Sequence, residues 1–129
     1  MKKFENFCKA LDNLRLVQDT TEPYDEMTLT GSIALFEICF EQAWKAMKEI
    51  LTDHGYSEGQ TGSPKQIVKL AYSAGMVQDE KGWLAMLVSR NDAAHSYNEE
   101  VALGLIQLIK EKYISLFEVL KTELADNWM

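Results

Sequence analysis

Apolar residues recur at helical intervals along almost the whole chain, and this recurrence lays out the elements. Phe4, Phe7, Leu11 and Leu14 follow at steps of 3, 4 and 3, one stripe on a first helix over about residues 2–19. The run TTEPYDEM interrupts the pattern, and Pro23 cannot continue a helix because it lacks the amide hydrogen. Ile33, Phe36, Phe40, Ala43, Met47 and Ile50 make the most regular stripe, on a second helix that Gly55 closes as a left-handed cap. In SPKQ, Ser63 caps a third helix, Pro64 takes its first position and Gln66 reaches back to complete the box. Ile67, Leu70, Ala71 and Ala74 are its stripe, and Gly75 ends it. Asp79 caps a fourth helix, which carries Trp83, Leu84, Met86 and Leu87 into Arg90. Asn98 caps a long last helix. Its seam is Ala102, Ile106, Ile109, Tyr113, Leu116 and Leu120, widened by Leu105, Leu108, Phe117 and Leu124.

No stretch alternates with period two, and there is no Asn-Gly or Asp-Gly hairpin turn. The expected fold is all-α, an up-and-down antiparallel bundle of four main helices and a short one, in a single domain over residues 1–129. The last helix carries more apolar surface than one neighbour covers, which predicts self-association, most simply as a homodimer.

Composition narrows the function classes. A net charge of −7 argues against a broad nucleic-acid surface. Residues 21–63 hold eight acids and two bases, whereas residues 64–90 hold four bases (Lys65, Lys69, Lys81 and Arg90) and two acids. Polyanion contact is therefore expected to be local and centred on the second stretch. Cys8 and Cys39 have neither CxxC spacing nor histidine neighbours and read as reduced thiols of a cytoplasmic protein. Glu5, Asn6 and Lys9 break any apolar run at the start, so no signal peptide is expected, and no segment reaches the roughly 18 apolar residues of a membrane span. With only His54 and His95, no metal-ligand cluster exists, and GYSEGQTGSPK lacks the order of a phosphate-binding glycine loop, so neither metal nor cofactor is implied.

Between the fourth and last helices lies SRNDAAHSYNEE, which gathers Arg90, Asn91, Asp92, His95 and Tyr97. An imidazole titrates near neutrality and can take a proton from a ribose 2′-hydroxyl or give one to a leaving oxygen. A guanidinium grips a phosphate through two N–H groups and offsets transition-state charge. Asn91 can orient either group. Arg90 and His95 are five apart, which on one helix aims them in different directions. Either the helix ends between them, or they converge across a twofold dimer. A purely structural arrangement competes with both, in which Arg90 pairs with Asp92 or a nearby glutamate and His95 fills a helix terminus. Phe36, Phe40, Trp44 and Trp83 are expected in the core, Glu37, Lys65 and Lys69 in solvent. Glu41, if buried, needs Arg90 or a lysine beside it and would then help hold the site.

RNDAAHSYNEE resembles the signature of the HEPN superfamily, Arg-x4-6-His with a polar residue after the arginine. More narrowly, the chain resembles the nucleotidyltransferase substrate-binding protein family over nearly its whole length. LFEICFEQAWKAMKEIL, SPKQIVKLAYSAGMV and WLAMLVSRNDAAHSYNEE carry that resemblance, with Phe36, Glu37, Glu41, Trp44 and Lys45 on the second-helix pattern. The resemblance implies a dimeric α-bundle encoded with a small MNT-type nucleotidyltransferase as its partner, in a toxin–antitoxin pair. It implies a metal-independent ribonuclease acting on RNA through Arg90 and His95, accompanied by Asn91, and silenced when the partner attaches adenylate to Tyr97. The alternative it admits is a noncatalytic subunit that presents substrate or nucleotide to the transferase.

Overall fold

Four of the chain's helices begin on a polar side chain that accepts from the free amides of the first turn. The computed structural model describes residues 2–129, and among them it contains helices and no strand. Helix α1 spans Lys2–Leu14, α2 Glu26–Asp53, α3 Pro64–Ser73, α4 Glu80–Asp92, α5 Glu99–Leu108 and α6 Ile114–Asn127. Asp25 caps α2 through the Thr28 amide, Ser63 and Gln66 form the reciprocal box on α3, Asp79 caps α4 through Gly82, and Asn98 caps α5 through Glu100. Each such cap is worth about 1 kcal/mol. Gly55 (φ 93°) and Gly75 (φ 80°) take the left-handed conformation after α2 and α3, where a side chain would be strained.

Two elements depart from the expected pattern. The first helix is α-helical only to Leu14 and tightens into a 3₁₀ turn over Arg15–Asp19, which sets Val17 in the core and leaves Leu16 exposed. The last helix is α5 and α6 joined by a π-helical turn, Ile109–Tyr113. A π turn holds more residues than an α turn, so the face presented to the core shifts along the sequence. Ala102, Ile106, Ile109, Tyr113 and Leu120 are buried as the seam predicts, but beyond the turn Phe117 takes the fully buried place expected of Leu116, which is only half-buried, and Leu108 is exposed.

α1 lies along α2, and the aromatic side chains of α2, α4 and the last helix meet behind them. Tyr113 stacks on Phe36 with centroids 5.5 Å apart, and Trp83 meets Phe117 edge-on at 5.6 Å. Phe7 of α1 reaches Phe117 at 6.1 Å. Burying one such ring contributes about 1.5–3 kcal/mol. Cys39 sits fully inside this core, where burial pushes its thiol pKa far up; Cys8 is half-buried, and burial raises its thiol pKa too. No helix among the described residues is long and apolar enough to cross a membrane.

Candidate functional site

Trp83, Met86 and Arg90 follow at steps of 3 and 4 on α4, so the arginine continues the face that enters the core. Trp83 and Met86 are buried, while Arg90 lies at the rim, its guanidinium carbon 5.9 Å from the centre of the Phe40 ring. There Nη2 donates to Glu41 Oε2 at 3.0 Å, across the gap between α4 and α2. Both side chains keep about a third of their surface, 31% and 32%. The pair is therefore neither a solvated surface contact nor a sealed ion pair.

Glu41 collects further donors from its own helix. Trp44 Nε1 donates to the same Oε2 at 3.0 Å, and Lys45 Nζ stands 3.4 Å from Oε1, the i+3 and i+4 positions of α2. Burial pushes the Glu41 carboxyl pKa up, but the hydrogen bonds from Trp44 and Lys45 and the charges of Lys45 and Arg90 outweigh it and hold the acid below the ordinary carboxylate range. The carboxylate thus stays ionised and anchors the guanidinium. Arg90 Nη1 makes a long contact with Asn91 Oδ1, 3.4 Å, and the remaining N–H groups of the fork meet no protein acceptor among the described residues.

α4 ends at Asp92, and Ala93–His95 form a 3₁₀ turn whose buried anchor is Ala93. Ser96 N donates to Ala93 O and Asn98 N to His95 O, which turns the chain into the Asn98 cap of α5. The His95 ring is exposed and meets the Tyr97 ring edge-on, centroids 6.0 Å apart. Tyr97 is 86% exposed, at the lip of a depression of about 290 Å³ whose other walls include Glu26, Thr30 and Glu99. The helix thus ends between Arg90 and His95.

The structure joins Arg90, Asn91 and Glu41 in one cluster and His95 with Tyr97 in another, and no hydrogen bond links the two among the described residues. Asp92 pairs with neither; it lines a separate depression of about 200 Å³ with Glu100 and Leu108. Glu37, Lys65 and Lys69 are in solvent as expected. Trp44 is a correction to the expected core: it is half-buried, tied to Glu41 and facing a groove beside α2, whereas Phe36, Phe40 and Trp83 are buried. Sequence reading also missed the contact of Ser89 Oγ with Tyr113 OH at 2.6 Å, which fastens the residue before Arg90 to the π turn. No residue spacing signals it, since the two side chains lie 24 positions apart on different elements.

Comparison with known proteins agrees with this architecture. Residues 2–126 match the family model described as nucleotidyltransferase substrate binding protein like. A Haemophilus influenzae protein named probable ribonuclease HepT is 29% identical over 98 residues, 74% of this chain and 62% of its own length, so the match leaves more than a third of that relative uncovered. A crystal structure of a Thermus thermophilus protein superposes with a TM-score of 0.79 at 30% identity, covering 92% of this chain and 98% of the other. A Haemophilus influenzae structure, described as revealing the fold of a substrate binding domain of a nucleotidyltransferase, superposes at 0.69 with 21% identity, covering 97% and 96%, a likeness of fold. With nearly every residue inside the family model, the chain belongs to the nucleotidyltransferase substrate binding protein-like family.

Proposed function

We propose that the protein is the HEPN-type partner of a small MNT-type nucleotidyltransferase, and that it is a metal-independent endoribonuclease silenced by adenylylation at Tyr97. Family membership and the similarity to a probable ribonuclease support the partnership and the direction of the chemistry. The observation that carries the activity is the guanidinium of Arg90, anchored on one side by Glu41 and open on the other, one helix end away from an exposed imidazole.

In this mechanism Arg90 holds the scissile phosphate, and Asn91 limits the freedom of the guanidinium. The 2′-oxygen attacks phosphorus, its proton passes to a neutral imidazole, and the bond to the 5′-oxygen breaks. The 5′-oxygen leaves with a proton from an imidazolium, giving a 2′,3′-cyclic phosphate and a free 5′-hydroxyl. One His95 serves one proton transfer at a time. A twofold dimer brings two copies of the motif together, so that the base and the acid come from different protomers and each Arg90 faces a histidine it does not meet in its own chain. Silencing follows from position: the Tyr97 phenolic oxygen gives its proton to solvent and attacks the α-phosphorus of ATP, pyrophosphate leaves, and the tyrosyl adenylate beside His95 blocks the site and repels RNA phosphates.

A noncatalytic binding subunit is the second reading, favoured by the half-neutralisation of Arg90 by Glu41 and by the acidity of the chain. Expression without the transferase separates the two. The ribonuclease slows growth and degrades RNA, and Arg90→Ala and His95→Ala abolish both effects. Equal behaviour of wild type and His95→Ala rejects the ribonuclease and leaves the binding subunit.

A further inference from the structure

A second group of cations lies further along α2, in a groove of about 440 Å³ that the proposed cleavage chemistry does not use. Lys45 and Lys48, the only two bases between residues 21 and 63, both line it, and Lys3 joins them from α1. Lys45 is committed to Glu41, whereas neither Lys3 nor Lys48 has a carboxylate within ion-pair distance among the described residues. Lys48 Nζ stands 5.8 Å from the centre of the Trp44 ring, and the hydrogen bond to Glu41 fixes that indole in place.

An anchored indole with the Lys48 ammonium over its ring and Lys3 in the same groove, neither cation ion-paired, offers aromatic surface for a base and positive charge for its phosphate. Glu49 and Asp53 line the same groove and repel phosphate, so the anion is held by the Lys3 and Lys48 ammonium groups, while carboxylates can accept from ribose hydroxyls or base amino groups. Trp44 of this groove shares its acceptor with Arg90, because Glu41 Oε2 accepts from both. From Glu41 to Lys48 is seven residues of helix, about 10 Å of rise.

We propose that this groove is a subsite for a single-stranded RNA nucleotide flanking the phosphodiester at Arg90, its base against Trp44 and its phosphate on Lys3 and Lys48. This rests on the ribonuclease reading above. The test uses non-cleaving His95→Ala protein, a fluorescently labelled oligoribonucleotide and anisotropy over a range of salt, with adenosine monophosphate as competitor. Lys3→Glu and Lys48→Glu, which do not touch Glu41, should each weaken binding and reduce the salt slope by about 0.7 per lost phosphate contact. Trp44→Ala should weaken it roughly tenfold, with Trp44→Phe retaining most of the affinity. Unchanged affinity and slope in both lysine variants overturns the subsite. So does competition by adenosine monophosphate that is equally strong in the wild-type groove and in Lys48→Glu, which would place the nucleotide elsewhere. Failure of the two ideas is distinguishable: wild-type protein that binds through the groove but never cleaves removes the ribonuclease alone. Cleavage that persists undiminished in both lysine variants removes the subsite alone.

Discussion

Arg90 and Trp44 donate to the same carboxylate oxygen, Oε2 of Glu41, each at 3.0 Å, from two different helices. One acceptor therefore sets the position of the guanidinium on α4 and of the indole on α2. Replacing it with glutamine keeps an oxygen but removes the charge that attracts Arg90 and Lys45. Glu41→Gln should lower stability by about 1 kcal/mol, the scale of a charged hydrogen bond discounted for solvent access. Urea unfolding monitored by circular dichroism checks this. Under the proposed chemistry Arg90 should also become mobile and cleavage should fall, with Glu41→Asp restoring less than full activity because the shorter side chain cannot reach both donors. Full activity in Glu41→Gln would show that Arg90 needs no anchor.

The same carboxylate makes stability pH-dependent in a definite direction. Its acid is stronger in the folded chain than the ordinary glutamate value of about 4.3. The unfolded chain therefore binds the proton at higher pH than the folded chain does. The stabilisation is fully present above the unfolded value and is lost as pH falls through the lower folded one. Wild type should thus lose more stability than Glu41→Gln between about pH 5 and pH 3. The comparison is made by parallel unfolding curves, and equal losses in the two proteins would mean that Glu41 is not linked to folding.

Ser89 Oγ and Tyr113 OH meet at 2.6 Å, while the Tyr113 ring stacks on Phe36. The ring belongs to the π turn and the serine precedes Arg90, so this contact fastens the end of α4 to the last helix. Tyr113→Phe keeps the stack and deletes only the hydroxyl, leaving Ser89 half-buried without that partner. A loss of about 1 kcal/mol is expected. Tyr113→Ala removes the stack as well and should cost about 3–5 kcal/mol. Thermal or urea unfolding separates the two, and a Phe variant as unstable as the Ala variant would indicate that the hydroxyl, not the ring, fixes the turn.

Much of this arrangement is legible in the order of residues. Stripes at steps of 3 and 4 locate the helices, and Ser63, Asp79 and Asn98 mark their starts because a polar side chain there meets free amides. The need of a half-buried carboxylate for a cation points to Glu41 with Arg90 or a lysine, and both Arg90 and Lys45 are there. The π turn is not legible, since Ala102, Ile106, Ile109 and Tyr113 keep the ordinary steps of 3 and 4 up to and through it. Trp44 misleads for a related reason: an apolar residue on an apolar helix reads as core, yet its N–H finds an acceptor at the surface.

Tyr97 is 86% exposed and touches the His95 ring only edge-on, so its hydroxyl holds nothing in the fold. Tyr97→Phe should change stability by less than about 0.5 kcal/mol, the usual range for surface substitutions. Under the proposed silencing it should nevertheless matter a great deal. Incubated with the transferase and ATP, wild type should gain the mass of one adenylate at Tyr97 and lose ribonuclease activity, while Tyr97→Phe should stay unmodified and active. In cells the Phe variant should remain toxic even when the transferase is present. Intact-protein mass spectrometry reads the first outcome and growth the second. Adenylate found to the same extent on Tyr97→Phe would place the modification elsewhere and remove the link between that phenol and His95.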